Sequence, residues 1–571
     1  MRIYKSTLPP VETREESIFT HLFATTYSNH PSSLPAFTDA ATGLTLTRAE
    51  LKKLSLSLGY GLRQEFSKLG GVTLDRGETI MIFSPNSIAW PVMVFGSLAP
   101  GLRTTLANSS YTAGELEHQW KDSGAKAVFV QPALLSTALE MFKYLGLDLS
   151  QARRRIILAD FGIPSSEQLP AGFVKLSDLL GKGSLNEEEK FPGKQSNETA
   201  YLCYSSGTTG KPKGVETTHF NIVAVINIVR ALYPKTVPGE DVMLGVLPFY
   251  HIYGSVKLLL FQFLLGVQVV IMSKFDPVEF CRNTEKYKVT IALIVPPICL
   301  AIIHHPATTK FNMKSLKYLT SGAAPLSGEL AQATREKLKS VGASTLINQG
   351  YGLTETSPTT HLCPMEEAIK RPKSVGLLLP NLEARLVNDD VNDVEDGESG
   401  ELWVRGPSVM KGYLNNEEAT TNAITPDGWF KTGDIAVRDK DGYWYIVDRR
   451  KELIKYKGFQ VPPAELEAIL LTHPQIVDVA VIGINSEKDA TELPRAYVVH
   501  AKAIRGDAAR QFGKEVQKWI QSRVARHKYL RGGVIVIDAI PKSAAGKILR
   551  RELRELAKKE ILSSPEFKAK L

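Results

Sequence analysis

From residue 78 onward, short apolar runs rich in β-branched residues alternate with longer stretches that suit helices. The first runs occupy residues 78–84, 125–131 and 154–160, and the alternation resumes with runs at 199–206 and 288–297. Strands that alternate with helices are typical of βαβ units, in which the strands pair in parallel. We therefore predict an α/β fold whose large body contains more than one sheet.

The pattern changes towards the C-terminus. Strand-like runs at 383–390, 400–406 and 443–448 have few helical segments between them, which predicts a mainly β subdomain beside the α/β layers. A shift in charge begins directly after the last run, and we place a domain boundary there. The chain then divides into a body at residues 1–450 and a compact α+β domain at residues 451–571.

The composition is that of an ordinary globular protein. Of 571 residues, 43% are hydrophobic and 23% are charged, which argues against disorder and coiled coil. The most apolar stretch, 256–272, is too short and too polar to span a bilayer, and the N-terminus lacks the apolar run of a secretory signal. Neither a disulfide framework nor a zinc site is expected from the cysteine spacing, which favours a reducing, intracellular setting: Cys203, Cys281, Cys299 and Cys363.

The net charge of +9 is confined to the predicted C-terminal domain. Residues 451–571 hold 23 Lys and Arg against 14 Asp and Glu, whereas the first 450 residues hold 46 of each sign. A basic segment attracts nucleic acid, an anionic membrane or small polyanions such as ATP and coenzyme A. Charge alone leaves these partners open, together with a solvated basic surface that has no partner.

The strongest motif is SSGTTGKPKGV at residues 205–215, which follows a predicted strand. Its glycines let the backbone fold around an anion with the N–H groups pointing inward, and its hydroxyls and lysines add donors and charge. The first two glycines are only two residues apart and a proline follows the first lysine, so the segment is not a standard Walker loop. We therefore predict a phosphate-binding loop of another kind.

This motif resembles the phosphate-binding signature of the adenylate-forming enzymes, which include acyl-CoA ligases, firefly luciferase and nonribosomal adenylation domains. Further matches occur in family order and cover roughly residues 40–555: PFYHIYG at 248–254, SGAAPL at 321–326, QGYGLTET at 349–356, TGD at 432–434, DRRKELIKYKGFQVPPAELE at 448–467 and PKSAAGKILRREL at 541–553. The match is closest to the 4-coumarate-CoA ligase-like branch. The resemblance implies a large body of stacked α/β sheets with a β-rich subdomain, and a small mobile C-terminal domain.

The resemblance also implies a two-step reaction. A carboxylate attacks the α-phosphate of ATP to give acyl-AMP and pyrophosphate, and the thiol of coenzyme A then displaces AMP. Glu355 would hold Mg²⁺ through a hard oxygen ligand. The residues implied in ATP and AMP binding are Ser205, Ser206, Gly207, Thr208, Thr209, Lys213, Ala323, Ala324, Gln349, Gly350, Tyr351, Thr354, Asp434, Arg449, Lys451, Lys455 and Lys547.

Three implied roles concern the mobile domain. Lys547 would enter the site during adenylation, and Lys451 corresponds to the hinge about which the domain rotates. Lys455, Lys457 and Gly458 would belong to the face presented for thioester formation, where the absence of a side chain at Gly458 leaves room for the pantetheine arm. Lys274 matches a residue that contacts coenzyme A. The residues implied as catalytic are Lys547, His251, Thr354 and Lys455.

The acid pocket is implied to contain His251, Tyr253, Pro358 and Thr359. The aspartate that binds the amine in amino-acid-activating relatives is missing, which disfavours an α-amino acid. Lys257 stands where the plant ligases carry a small residue, and the sequence leaves open whether it faces the substrate or the solvent. Phenylacetate, cinnamates, medium-chain fatty acids and an intermediate of secondary metabolism all remain open as substrates, and oligomeric state is not readable.

The last three residues, Ala569-Lys570-Leu571, resemble the S-K-L peroxisomal address. They predict recognition by a peroxisomal import receptor, with the cytoplasm as the alternative location. The overall prediction is an acid-CoA ligase that uses ATP, Mg²⁺ and coenzyme A and acts on an aryl or medium-chain carboxylic acid, without nucleic acid as a partner. The alternatives are a luciferase-like or carrier-loading adenylating enzyme and a non-catalytic nucleotide-binding protein.

Overall fold

The computed structural model describes residues 1–23, 28–164, 168–205, 211–457, 459–486, 491–543 and 546–563, with side chains up to Glu560. Several predicted site residues lie outside these ranges. They are Ser206, Gly207, Thr208 and Thr209 of the glycine-rich loop, Gly458, and the C-terminal Ala569, Lys570 and Leu571.

One sheet of the body has eight strands within the described ranges. Its central strands are parallel, as the alternating pattern predicts, and two antiparallel strands close one edge. In spatial order the strands are Gly412–Tyr413, Lys213–Thr218, Thr199–Ser205, Arg103–Ala107, Thr79–Phe83, Ala125–Val130, Ile156–Leu158 and Val174–Lys175.

A second sheet has nine strands in the same described part of the chain. Its centre is again parallel, with antiparallel strands at both edges. The spatial order is Leu377–Leu378, Thr359–Leu362, Leu346–Gly352, Tyr318–Ser321, Ile291–Ile294, Val242–Gly245, Gln268–Ile271, Pro35–Asp39 and Thr45–Thr47.

The predicted β-rich subdomain is an antiparallel sheet, which counts five strands among the described residues. Its strands are Tyr4–Lys5, Glu383–Val387, Ser399–Arg405, Phe430–Arg438 and Trp444–Arg449. The first of these lies almost 380 residues from its partner, with Tyr4 opposite Ala384. The sequence pattern did not predict that the N-terminus completes this sheet, because a two-residue strand has no periodicity of its own.

The C-terminal domain has its own apolar core, which runs from Ile454 to Ala557 and is separate from the core of the body. Its strands are Ile454–Tyr456, Phe459–Val461, Ile476–Ser486, Thr491–His500 and Val534–Val536. Helices Pro463–Leu470, Gly506–Gln521 and Arg550–Ser563 accompany them. The α/β fold class, with its large body and smaller α+β domain, is therefore confirmed.

Helix starts follow the local sequence signals. Thr47 with Glu50, and Thr112 with Glu115, form reciprocal capping boxes at two N-termini. The α-helices of the body are Ile18–Phe23, Arg48–Tyr60, Ala89–Leu98, Ala113–Ser123, Leu135–Tyr144, Leu149–Arg153, Leu176–Leu179, His219–Val229, Ile252–Gly254, Gln262–Leu265, Pro277–Lys286, Pro296–His304, Gly328–Ser340 and Glu417–Ala423; π-helical turns span Gly61–Glu65 and Ser255–Phe261, and 3-10 turns span Pro132–Leu134, Gly193–Asn197, Pro306–Thr309, Thr354–Thr356 and, in the C-terminal domain, Arg526–Lys528.

The apolar run at 256–272 is part of the core of the body. It is divided among the π-helical turn, the short helix and the strand Gln268–Ile271. Among the described residues, no helix has the length and apolar character needed to cross a membrane. All four cysteines are buried with free thiols.

Candidate active site

A large cavity of about 1280 Å³ lies at the carboxyl ends of the parallel strands of both body sheets, and the C-terminal domain closes part of it. Strands Tyr318–Ser321 and Leu346–Gly352 end side by side, with Ser321 opposite Gln349. The loops that follow supply Ala323 and Thr354 to the wall. Ligands of open α/β sheets bind at this edge, because the loops that follow the strands converge there.

The two described ends of the glycine-rich loop lie at this cavity. Ser205 ends one strand, Lys213 begins the next, and the two are direct antiparallel partners, so the loop begins and ends at this edge of the sheet. The ammonium of Lys213 lies 4.4 Å from the ring centroid of Tyr413, a cation-π contact that orients the side chain. A lysine in this position is available to a phosphate held by the loop.

Glu355 directly follows Thr354 and is a buried carboxylate in the cavity wall. It lies in the 3-10 turn Thr354–Thr356 and is 9% exposed. The hydroxyl of Tyr413 donates to its Oε1 at 3.0 Å, and its backbone carbonyl accepts from the N–H of Met410 at 2.8 Å. The bond from Tyr413 holds one carboxylate oxygen, and Glu355 lines the cavity. A buried carboxylate in this position suits a hard cation that completes its shell with phosphate and water.

Two of the residues implied in nucleotide binding, Tyr351 and Asp434, form a hydrogen-bonded pair. Tyr351 donates its hydroxyl to Oδ2 of Asp434 at 2.6 Å, and Nε of Arg449 lies 3.4 Å from the other carboxylate oxygen. Asp434 and Arg449 are partners on adjacent antiparallel strands. Burial raises the pKa of Asp434, while Arg449 and the Tyr351 hydroxyl counteract the rise. The phenol is engaged with the carboxylate, and the ring of Tyr351 lines the cavity.

Two predicted nucleotide ligands do not line the cavity. Gln349 is buried. Its side-chain oxygen accepts from the backbone N–H of Leu326, and its side-chain nitrogen donates to the carbonyls of Leu326 and Pro372. It therefore positions the loop rather than contacting a ligand directly. Ala324 is half-buried and does not line the cavity. Ala323, which precedes it and has a φ of +64°, lines the cavity together with Gly350 of the neighbouring strand.

Lys547 reaches the cavity from the C-terminal domain. Its loop is closed by a hydrogen bond from the N–H of Ser543 to the carbonyl of Lys547 at 2.8 Å. Gly546, with φ of +79°, packs so closely on the body that an added Cβ would lie 3.0 Å from Val295. Burial and, secondarily, Arg449 lower the pKa of Lys547 to about 8, although Asp434, Glu452 and Glu355 act in the opposite direction.

His251 lines the cavity in the neutral form. Its Nδ1 accepts the backbone N–H of Tyr253 at 3.2 Å, which caps the short helix and leaves the ring proton on Nε2. Burial, together with the charge of Lys547, lowers the pKa of His251 to about 4. At physiological pH the ring is therefore a hydrogen-bond donor rather than a cation.

The predicted acid pocket is continuous with this cavity. Tyr253, Pro358 and Thr359 line it, and the Tyr253 hydroxyl donates to the carbonyl of Thr320 at 3.4 Å. Gly322 allows the ring of Tyr253 to lie flat against the strand end, because a Cβ there would be 3.0 Å from the ring. Lys257 also lines the cavity and is 5% exposed, so it does not face the solvent.

The residues predicted for the second step lie elsewhere in this arrangement. Lys274, Lys455 and Lys457 are exposed and do not contribute to the cavity wall. The backbone N–H groups of Lys455 and Lys457 donate to Glu492 and Thr491, which ties their hairpin to the C-terminal domain. Lys451 lies at the rim. The roles of these residues and of Gly458 stay predictions.

Sequence reasoning did not single out two tyrosines that shape the cavity. Tyr413 holds Glu355, and Tyr233 lines the wall beside Lys257. Neither belongs to a motif with its own chemistry, and each is distant in sequence from the residue that it contacts. A long-range contact of this kind leaves no signal in the spacing of a single sequence.

Comparison with protein families gives two matches in chain order. The AMP-binding enzyme family matches residues 23–414, and the AMP-binding enzyme C-terminal domain matches residues 465–547. A probable 4-coumarate-CoA ligase 1 of Dictyostelium discoideum is 37% identical over 497 residues, which are 85% of this chain and 87% of that protein. A 4-coumarate-CoA ligase 1 of Narcissus pseudonarcissus is 36% identical over 560 residues, or 97% and 96%.

Among solved structures, ATP-bound MatB from Rhodopseudomonas palustris superimposes with a TM-score of 0.80 at 25% identity. The match covers 95% of this chain and 99% of MatB. Both domains of the chain therefore have counterparts in a single known structure.

We predict that Lys547 reacts with an amine-selective acylating reagent with a midpoint near pH 8, because burial disfavours its ammonium. Ordinary lysines titrate near 10.4, so they give an internal reference in the same digest. Mass spectrometry of tryptic peptides across a pH series measures both. Asp434→Asn should lower the midpoint by removing an attractive charge, and Arg449→Met should raise it. Identical midpoints in all three proteins would contradict this account of the site.

Proposed function

The chain belongs to the AMP-binding enzyme family and is an ATP-dependent acid-CoA ligase, and we propose that its acid substrate is an aryl or medium-chain carboxylic acid. The observation that carries the proposal is the convergence of two domains on one cavity: Lys547 of the small domain faces the cavity that also holds His251, Glu355 and Asp434. Cationic, neutral-donor and metal-ligating groups thus surround the space in which a carboxylate and the phosphates of ATP would meet.

In the first step, a carboxylate oxygen of the acid attacks the α-phosphorus, and the bond to the pyrophosphate oxygen breaks. Negative charge grows on the α-phosphate oxygens and on the leaving pyrophosphate. Lys547 and the hydroxyl of Thr354 stabilise the α-phosphate, and Lys213 with the glycine-rich loop stabilises the leaving group. His251 donates Nε2–H to the acid, which orients its carboxylate without adding a proton to it.

Asp434 accepts hydrogen bonds from the ribose hydroxyls in this proposal. Its carboxylate is already fixed by Tyr351 and Arg449, so little rearrangement is needed when the nucleotide binds. The small Ala323 leaves room for the flat adenine, against which the ring of Tyr351 packs.

We also propose that Mg²⁺ binds at Glu355. Across the described residues, no cluster of three or more His, Cys, Asp or Glu forms a cage for a metal ion. Mg²⁺ keeps several waters and takes further ligands from substrate phosphates, so it needs only one or two carboxylates from the protein. The single buried carboxylate of Glu355 fits this requirement. When bound, Mg²⁺ neutralises phosphate charge and thereby supports the departure of pyrophosphate.

The second step requires a different face of the small domain. The thiolate of coenzyme A attacks the acyl carbon, and the bond between that carbon and the phosphate oxygen of AMP breaks. Lys455 and Lys457 lie on a hairpin away from the cavity, which supports a rotation about Lys451 that exchanges this face for the Lys547 loop. Gly458, which follows Lys457 in the sequence, would belong to the same face. Lys274, which is exposed on the body, would then contact coenzyme A.

The aryl preference rests on the relatives and on the pocket wall. Two curated relatives are named as 4-coumarate-CoA ligases, which activate an aromatic acid by name. Tyr253 and Tyr233 line the inner wall of this chain's cavity together with Pro358. Flat rings and a proline suit an aromatic or unbranched apolar acyl group.

Replacing Lys547 should separate the two half-reactions. Lys547→Ala should slow acyl-AMP formation by about 100- to 1000-fold, because one charge-stabilising contact is lost in the transition state. Thioester formation from supplied acyl-AMP and coenzyme A should remain near the wild-type rate, since the loop has left the site by then. Pyrophosphate exchange measures the first step, and consumption of acyl-AMP measures the second. Equal slowing of both steps in a folded variant would overturn the role of Lys547.

Two further variants serve as controls for that separation. Gly546→Val should also impair mainly adenylation, because its side chain would collide with Val295 and prevent the loop from docking. Gly458→Trp should show the reverse pattern, with normal exchange and slow thioester formation. If Gly546→Val leaves pyrophosphate exchange at the wild-type rate, the observed docking is not the adenylating arrangement.

Loss of the Glu355 carboxylate should raise the Mg²⁺ requirement. We expect Glu355→Gln to increase the Mg²⁺ concentration for half-maximal pyrophosphate exchange by about 10- to 100-fold, because the remaining amide is a weak ligand. Tyr413→Phe should cause a smaller increase by releasing the carboxylate. Glu418→Gln, an exposed carboxylate on another helix, is the matched control. An unchanged Mg²⁺ titration in Glu355→Gln would place the metal elsewhere.

For location, we propose that Ala569-Lys570-Leu571 acts as an address read by a peroxisomal import receptor. Deleting these three residues should move a fluorescent fusion with a free C-terminus from peroxisomes to the cytosol, while activity of the purified enzyme stays unchanged. Microscopy with a peroxisomal marker tests this directly. A diffuse signal from the full-length fusion would show that the tripeptide is not an address.

A further inference from the structure

Lys257 is a buried cation in the wall of the acid pocket. It belongs to the π-helical turn Ser255–Phe261, is 5% exposed and lines the same cavity as His251. Throughout the described ranges, no carboxylate forms an ion pair with its ammonium, and no acceptor receives a hydrogen bond from it. A lysine of this kind is unusual, because a buried charge is costly unless it is paired.

The surroundings of the ammonium are aromatic. Its nitrogen lies 4.5 Å from the ring centroid of Phe261 and 5.6 Å from that of Tyr233. Ring faces attract a cation, but they accept no ordinary hydrogen bond and carry no countercharge. The Tyr233 hydroxyl is engaged by the side-chain amide of Gln262 at 3.2 Å. Lys257 thus lines the cavity with an ammonium that has no acceptor among the described residues.

The charge environment leads to the same view. Burial alone lowers the pKa of Lys257 to about 7, and no charged side chain contributes to the shift. Lys547, by contrast, is influenced by Arg449 and three carboxylates. The two lysines therefore occupy electrostatically separate ends of one cavity.

His251 and Lys257 lie on one helical segment in the wall of the acid pocket. His251 caps this helical segment and Lys257 follows six residues later, so the two side chains leave the segment at different points along its length. An acid whose carboxylate lies at His251 would extend its other end towards Lys257. Only the end of the substrate remote from the reacting carboxylate can therefore meet this ammonium.

We propose that Lys257 binds an anionic group at the distal end of the acid, so that the ligase selects acids that carry a second carboxylate. This inference rests on the proposed acid-CoA ligase function and narrows its substrate class. A distal carboxylate supplies both the countercharge and the hydrogen-bond acceptors that the described residues lack. A methyl group or methyl ester of the same shape supplies neither, so the lysine beside it is left uncompensated or loses its proton.

The test compares matched acids that differ only in the distal group. One set is 4-carboxycinnamate, its distal methyl ester and 4-coumarate, and the other is octanedioate, its monomethyl ester and octanoate. Pyrophosphate release gives kcat/KM for each acid with wild type, Lys257→Met and the control Lys235→Met, which removes an exposed lysine two residues after Tyr233. Methionine is unbranched and only one atom shorter than lysine, and it removes the charge.

We expect the wild type and Lys235→Met to prefer the distal carboxylate over the ester by about tenfold or more in at least one set. Lys257→Met should abolish or reverse this preference and should retain activity on the uncharged acids, which shows that the variant folds. With Lys257→Arg, which keeps the charge, the preference should return at least in part. The preference of the wild type should also weaken as the pH rises above 7, because Lys257, whose pKa burial lowers to about 7, loses its positive charge there. Burial raises the pKa of the neighbouring Tyr233, so its hydroxyl does not account for the change.

Two results would overturn the inference while leaving the ligase function intact. One is turnover of the uncharged acids by the wild type with no preference for the charged members of either set. The other is a preference that stays within twofold of wild type in Lys257→Met. If no acid supports pyrophosphate release, the proposed substrate class fails instead. The distal preference is then measured by the rise in unfolding temperature that each acid produces, and equal rises for acid and ester would contradict it.

Discussion

One contact joins the two domains at the cavity: a lysine of the small domain enters a space that is otherwise lined mainly by the large one. Lys547 is placed by a loop whose glycine packs directly on Val295, so that body and small domain fit without an intervening side chain. The ammonium is partly desolvated there and is balanced between a nearby arginine and three carboxylates. Such a balance makes the site receptive to additional negative charge, which the phosphates of ATP supply.

In the proposed reaction this contact forms and breaks in each cycle. The backbone N–H of Ala464 in the small domain donates to Asp448 of the body at 3.0 Å. The ion pair between Arg554 and Glu452 lies within the small domain, close in sequence to Lys451, the proposed hinge. Partly exposed ion pairs contribute little net stability, typically about 1 kcal/mol or less. The small domain has its own core, from Ile454 to Ala557, and so its stability does not depend on that of the interface. A mobile domain needs this combination of an independent core and weak polar contacts.

The parts of the fold that could be predicted are those with a local cause. Alternating strands and helices predicted the parallel sheets, and the cluster of motifs predicted which loops line the cavity. Gln349 could not be assigned correctly, because its place in the motif suggests a nucleotide ligand. Only the structure shows that its amide makes three hydrogen bonds to backbone atoms. Lys257 is a second case, since a lysine in an apolar run faces solvent or core depending on how the π-helical turn packs. Tyr413 reaches Glu355 across 58 positions, a contact that spacing alone cannot predict.

The two lysines of the cavity divide recognition between the two substrates. Burial lowers the pKa of both lysines. Lys547 is also influenced by one arginine and three carboxylates, whereas the ammonium of Lys257 lies against aromatic rings. The charge of Lys547 is therefore compensated by protein and nucleotide whichever acid is present. Compensation at Lys257 must come from the acid itself, because the described residues provide none. The catalytic end of the cavity is thus indifferent to the identity of the acid, and the choice of substrate is left to the opposite end, where an unpaired charge makes a poorly matched acid costly to bind.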